Sequence, residues 1–200
     1  MIALPKTPVV ARMTATEFLA WPADPTGRTW QLIDGEPAAM APASQTHGAI
    51  QSEAGGILRN HLRAQSSSCR VITAPGVVPR VRADWNVRVP DLAVTCSPDD
   101  PAERLLHDPV LVVEILSPSN EAETWSNVWA YTTIPSVREI LVLRSLEISA
   151  ELLRRGADGL WPERGIRLGA EDEVRLGSVA GSFRLAEFYG TTQVRSGAAG

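Results

Sequence analysis

Asp91 and Glu114 are the residues of this 200-residue chain best spaced to do chemistry together. Each is a lone acid in a short run that otherwise reads as a buried strand: Val87–Arg88–Val89–Pro90–Asp91–Leu92–Ala93–Val94 and Val110–Leu111–Val112–Val113–Glu114–Ile115–Leu116. A carboxylate there is costly to bury unless something pairs with it. Two of them on neighbouring strands make a place to hold a divalent cation, because hard cations such as Mg²⁺ take oxygen ligands. The plainer account leaves each acid at a strand end, meeting solvent or an arginine.

His47 stands three residues before Ile50, at the start of a helical apolar pattern. Either it belongs to the same site, orienting water or touching phosphate, or it is a helix-start histidine bonded to backbone. Glu36, at a hairpin end, is either a further acid for the site or a solvated turn residue. Gln31, Asp34 and His61 read as structural, and His107 falls in a polar loop. Trp125 and Trp129, one helical turn apart, have the spacing of base-stacking platforms. The same spacing more commonly packs a core or a partner chain, which is the role expected of them.

The elements that must position these residues follow from local patterns. Thr14 and Glu17 form a capping box opening a short helix to Leu19. Trp30–Ile33 and Glu36–Met40 read as strands joined by Asp34–Gly35, a strong hairpin signal. Ser44 caps a longer helix with Ile50, Ala54, Ile57, Leu58 and Leu62 on one face. The Gly55–Gly56 pair costs that helix about 1 kcal/mol per glycine, which close packing on a sheet would excuse. Strands are expected near Cys69–Thr73, Val77–Arg82, Val89–Thr95 and Leu111–Leu116. A helix is expected over about Ala122–Thr132, with Trp125, Val128, Trp129 and Thr132 on its packing face. The strand Glu139–Leu143 follows, and then a β-meander ending in Leu185–Tyr189. This order predicts an α/β fold, a mixed central sheet flanked by helices with a C-terminal β-meander.

One domain is expected over 13–192, with a flexible arm at 1–12 and a flexible tail at 193–200. No apolar run approaches the length of a membrane span, and the start of the chain lacks the features of a secretory signal, so a cytoplasmic protein is expected. Cys69 and Cys96 lie in no CxxC or Cys/His ladder and are expected to be reduced, partly buried residues. A net charge of −4 excludes bulk electrostatic coating of nucleic acid but leaves room for a local basic groove. Of 19 basic residues, the only lysine is Lys6. A GC-rich genome is the simple cause of that bias, although arginine also suits phosphate contact.

A helix, a strand bearing Pro-Asp, a strand bearing Glu and a second helix resemble the PD-(D/E)xK nuclease superfamily. More closely, the chain resembles the Uma2 family of bacterial endonucleases, also known as DUF820. The matching pieces run from Met13–Thr14 and Leu32–Ile33–Asp34–Gly35–Glu36, through Met40–Ala41–Pro42–Ala43 leading to His47, to Val89–Val94, Val112–Ser119 and Val137–Val142. Glu114–Ile115–Leu116–Ser117–Pro118–Ser119 is the most specific of them. The resemblance implies a restriction-endonuclease-like core and hydrolysis of DNA. It also implies Mg²⁺ or Mn²⁺ on Asp91 and Glu114, and a histidine at the position of His47.

The superfamily's lysine, two residues after the Glu, falls on Leu116. In Uma2 relatives the lysine lies on the following helix, near Asn127 or Val128, and neither is lysine. Slow or absent cleavage is therefore expected. The alternative is a catalytically impaired nuclease fold that binds nucleic acid or protein. Arg88 is the nearest substitute cation, but strand parity puts it on the face of Pro90 and not of Asp91. Lysine introduced at Asn127, on a helix, is expected to be tolerated and to restore turnover. The apolar surface offered by Trp125, Trp129 and the meander leads to the expectation of a homodimer.

Overall fold

The structure is a computed structural model and describes residues 12–22 and 27–196. Helix α1 (Ala15–Leu19) opens with the expected capping box, Thr14 accepting from the Glu17 N–H and Glu17 reaching back to the Thr14 N–H. Strands β1 (Trp30–Ile33) and β2 (Glu36–Ala39) form an antiparallel hairpin. Its turn has Asp34 and Gly35 both at positive φ, 49° and 86°, the type I′ geometry that Asp-Gly favours. A side chain at Gly35 would also strike Arg12, whose Cβ lies 2.7 Å from where a glycine-replacing Cβ would sit.

Helix α2 (Gln45–Ala64) starts where Ser44 accepts from the His47 N–H, and it buries Ile50, Ala54, Leu58 and Leu62. Its glycines are not demanded by packing. A Cβ at Gly55 would make ordinary contact with Leu92 at 3.6 Å, and one at Gly56 would meet nothing within 4 Å.

The central sheet has six strands: β3 (Arg70–Thr73), β4 (Leu92–Thr95), β5 (Pro109–Leu116), β6 (Glu139–Arg144), β7 (Ser149–Arg154) and β8 (Ile166–Gly169), in that spatial order. Only β5 and β6 run parallel, joined by the crossover helix α3 (Glu121–Tyr131). The antiparallel run β6–β7–β8 is the meander. Beyond it, β9 (Glu173–Leu176) and β10 (Gly181–Arg184) leave the sheet and pair with each other.

Side chains alternate across β5, and each set serves a separate core. Leu111, Val113 and Ile115 pack with α2, β9 and β10, whereas Val112 and Leu116 pack with Val128 and Tyr131 of α3.

Two expectations fail. Val77–Arg82 is not a strand: Val77 makes one isolated bridge to Arg88, after which Pro79 removes a donor and Arg82 turns left-handed at φ 47°. Cys69 and Cys96 are not reduced thiols but a disulfide, with Cα atoms 3.9 Å apart. Arg70 pairs with Thr95, so the next residues outward face each other; that contact depends on strand register, which no local motif reveals. Of the two tryptophans expected to pack on a core or a partner chain, one meets the core of this domain. Trp125 packs at its edge, and Trp129 is 42% exposed.

The expected arm lies outside the described residues except for Arg12. Past residue 192 the chain still touches the domain, with Val194 against the core and the Ile148 N–H donating to the Arg195 carbonyl. Among the described residues, no helix is long and apolar enough to cross a membrane.

Candidate active site

The site lies at the end of β4, where it meets the middle of β5. Leu92 pairs with Val113, so extending the register by one residue sets Asp91 opposite Glu114. Both are buried, at 9% and 6% exposure. Asp91 Oδ2 accepts from the Ile115 N–H at 2.7 Å and Oδ1 meets His47 Nε2 at 2.8 Å. One turn further along α2, Gln51 Nε2 donates to the Asp91 carbonyl at 2.8 Å. The Ser44 cap sets the start of α2 and thereby aims His47 at the strand end.

Glu114 Oε1 accepts from the Tyr131 hydroxyl at 2.8 Å. Burial pushes the Glu114 carboxyl well above the ordinary glutamate range, and the adjacent Asp91 charge pushes it further. Tyr131 is likewise pushed well above the usual phenol value, by burial first and by Glu114 second, so it stays a neutral donor. Two like charges held side by side are relieved by a proton or by a cation.

Helix α3 carries a polar stripe the sequence pattern did not pick out. Glu123, Asn127 and Tyr131 recur every fourth residue and so share one face. Glu123 Oε1 accepts from Gln31 Nε2 at 2.6 Å, and Asn127 Oδ1 accepts from Arg88 Nη1 at 2.8 Å. A longer contact of 3.5 Å joins Asn127 Nδ2 to Gln31 Oε1. The spacing of polar residues at i, i+4 and i+8 was the available signal.

Arg88 and Asn127 are thus buried partners, which corrects the expectation that position 127 would accept lysine freely. Gln31 is part of this polar chain. Asp34 ties Arg82 and Asn86 to the hairpin turn, and Glu36 is exposed. His61 meets the Val179 carbonyl, and His107 pairs with Glu103.

Among the described residues, no group of three or more His, Cys, Asp or Glu side chains is arranged to hold a metal ion. The donor set is the two carboxylates. That still fits Mg²⁺ or Mn²⁺, since Mg²⁺ is commonly bound through one or two carboxylates plus substrate phosphate and retained waters.

The chain is similar to known proteins in three respects. The Uma2 family profile, described as "Putative restriction endonuclease", matches residues 15–186. An uncharacterized protein of Synechocystis, slr1290, is 27% identical over 191 residues, spanning 94% of this chain and 97% of that protein. The crystal structure of "a putative nuclease belonging to DUF820" from Anabaena variabilis superposes with a TM-score of 0.69 at 18% identity, covering 89% of this chain and 98% of the other.

Proposed function

The chain belongs to the Uma2 family, and we propose that it is a Mg²⁺- or Mn²⁺-dependent endonuclease that hydrolyses phosphodiester bonds in DNA. The observation that carries this reading is the Asp91–Glu114 pair. Two buried carboxylates sit opposite each other, one held by a backbone N–H and His47 and the other by Tyr131.

A divalent cation bound there would neutralise the scissile phosphate and acidify the attacking water. The residues do the positioning. His47 and the Ile115 N–H fix both oxygens of Asp91, and Tyr131 fixes Oε1 of Glu114, so the pair does not splay apart under mutual repulsion. In the reaction a water oxygen bonds to phosphorus, one ester P–O bond breaks, and the leaving alkoxide takes up a proton. On this reading His47 is a positioning residue for Asp91.

A symmetric homodimer belongs to the same proposal, supported by exposed Trp129; sedimentation of a 21.6 kDa monomer at micromolar concentration would remove it.

The test is cleavage of supercoiled plasmid with Mn²⁺, Mg²⁺ or EDTA, by wild type, Asp91→Asn and Glu114→Gln. Metal-dependent nicking lost in both variants supports the proposal. Duplex binding without nicking, unchanged in both variants, favours a binding module that has lost catalysis.

A further inference from the structure

Arg88 is the group that the carboxylate pair leaves unexplained. Its side chain is only 5% exposed, Nη1 is spent on the neutral amide of Asn127, and Nε is buried with no partner among the described residues. Among those residues, no carboxylate lies within ion-pair distance of it. Guanidinium does not shed its proton in proteins, so this is a buried cation with no carboxylate in direct contact, an expensive arrangement. Burial pulls its pKa down, opposed by Tyr131, Asp34 and Glu123. Proteins retain such violations where function uses them.

The helix shows what the charge faces. Asn127 holds Arg88, and Tyr131, one turn on, holds Glu114. Side chains so spaced stand about 5–6 Å apart at Cβ. Arg88 and Glu114 are therefore held by adjacent turns of one helix face, and the Arg88 charge acts on Tyr131, the residue that holds Glu114. Residues 12–22 and 27–196 contain no lysine, so the cation at this face is an arginine.

We infer that Arg88, steadied by Asn127, is the phosphate-binding cation of this site and takes a non-bridging oxygen of the phosphodiester that arrives at Asp91 and Glu114. The planar fork suits that contact, because a second N–H remains to donate after Asn127 has taken one. The inference rests on the nuclease reading only in assuming that Asp91 and Glu114 mark where phosphate arrives.

The experiment compares wild type, Arg88→Lys, Arg88→Met and the double variant Arg88→Met/Asn127→Lys. Three readouts are taken: Mn²⁺ affinity by calorimetry, affinity of a short labelled DNA duplex in EDTA across a salt series, and single-turnover cleavage. Arg88→Met should leave Mn²⁺ affinity equal or tighter, since a nearby positive charge has gone. It should weaken duplex binding, lower the salt slope by about 1 and reduce turnover by about 10²–10³-fold. The double variant puts an ammonium where the Arg88–Asn127 contact was, and it should recover at least about tenfold of that loss. A purely structural arginine would instead lose Mn²⁺ affinity with the fold and show no recovery.

Unchanged duplex affinity and salt slope in Arg88→Met overturn the inference. If Arg88→Met does not fold, Arg88→Lys and a further variant, Arg88→Gln, decide: retained duplex affinity with reduced turnover in Arg88→Lys supports the inference, and wild-type duplex affinity and turnover in Arg88→Gln overturn it. If wild type binds Mn²⁺ and duplex but never cleaves, the nuclease reading fails, while the duplex arm still decides the role of Arg88.

Discussion

The Tyr131 hydroxyl donates to Glu114 Oε1 across 2.8 Å, with both residues buried between α3 and β5. This bond ties the crossover helix to the carboxylate pair. Tyr131→Phe leaves a buried acceptor unsatisfied, and chemical denaturation should register a loss of about 1–3 kcal/mol. Calorimetry should also show Mn²⁺ affinity changing, because Glu114 loses its fixed orientation. A stability loss with identical metal binding would confine Tyr131 to packing.

Metal should stabilise the native state alone. Mn²⁺ at 100 times its Kd adds about 2.7 kcal/mol, which for a chain this long raises Tm by roughly 5–10 °C. Asp91→Ala should melt at the same temperature with and without Mn²⁺. An equal shift in both proteins would place the binding site elsewhere.

Glu114 sets a pH dependence in the metal-free protein. Its folded-state pKa is raised, first by burial and then by Asp91, so the folded protein holds a proton that the unfolded chain releases. Its contribution is fully present below the ordinary glutamate range and is lost as pH rises through the raised value. Glu114→Gln keeps the shape without the titration. Its stability relative to wild type should therefore climb with pH in EDTA, as urea melts across the acidic and neutral range would report. Saturating Mn²⁺ should reverse the order at neutral pH.

Asn127→Lys on its own should fail as an activating change. The new ammonium would stand against the Arg88 guanidinium in a buried site, and a denaturation curve should show destabilisation of about 2 kcal/mol or more. The substitution helps only when Arg88 is gone. Greater stability or higher turnover in the single variant would contradict the Arg88–Asn127 pairing.

Gly56→Ala should stabilise α2 by about 1 kcal/mol, because the position is helical and a Cβ there meets nothing. Reducing the Cys69–Cys96 bridge should cost about 3.5 kcal/mol by loop-closure entropy for a separation of 27 residues. Urea melts with and without reductant measure that difference.

Much of this architecture was legible in local sequence. The Thr14–Glu17 box, the Asp34–Gly35 turn and the Ser44 cap are short-range devices, and each forms where the residue types call for it. Asp91 and Glu114 were visible as acids out of place in apolar strands. What escaped was whatever depends on register or on two elements meeting. The disulfide needs the β3–β4 register, and Arg88 acquires meaning only once α3 lies over it. Parity arguments along one strand assumed a regular ladder, but around Arg88 the backbone makes single bridges and not a strand. Of the expected packing face of α3, Val128 is buried, and Asn127 and Tyr131 beside it are buried because their partners lie on β1, on the segment of Arg88 and on β5.

The alternation along β5, with Leu111, Val113 and Ile115 facing one core and Val112 and Leu116 the other, divides the molecule into two compartments that meet at the carboxylate pair. His47 reports to the α2 compartment, and Tyr131, Asn127 and Arg88 report to the α3 compartment. Cavities carved at Leu58 or Val128 would therefore disturb different partners of the same site. Mutational tolerance in this protein should be modular: changes within one compartment compensate one another, whereas changes across the strand combine independently. A selection scheme that randomises one compartment at a time can retune the grip on Asp91 without disturbing the helix face that holds Arg88.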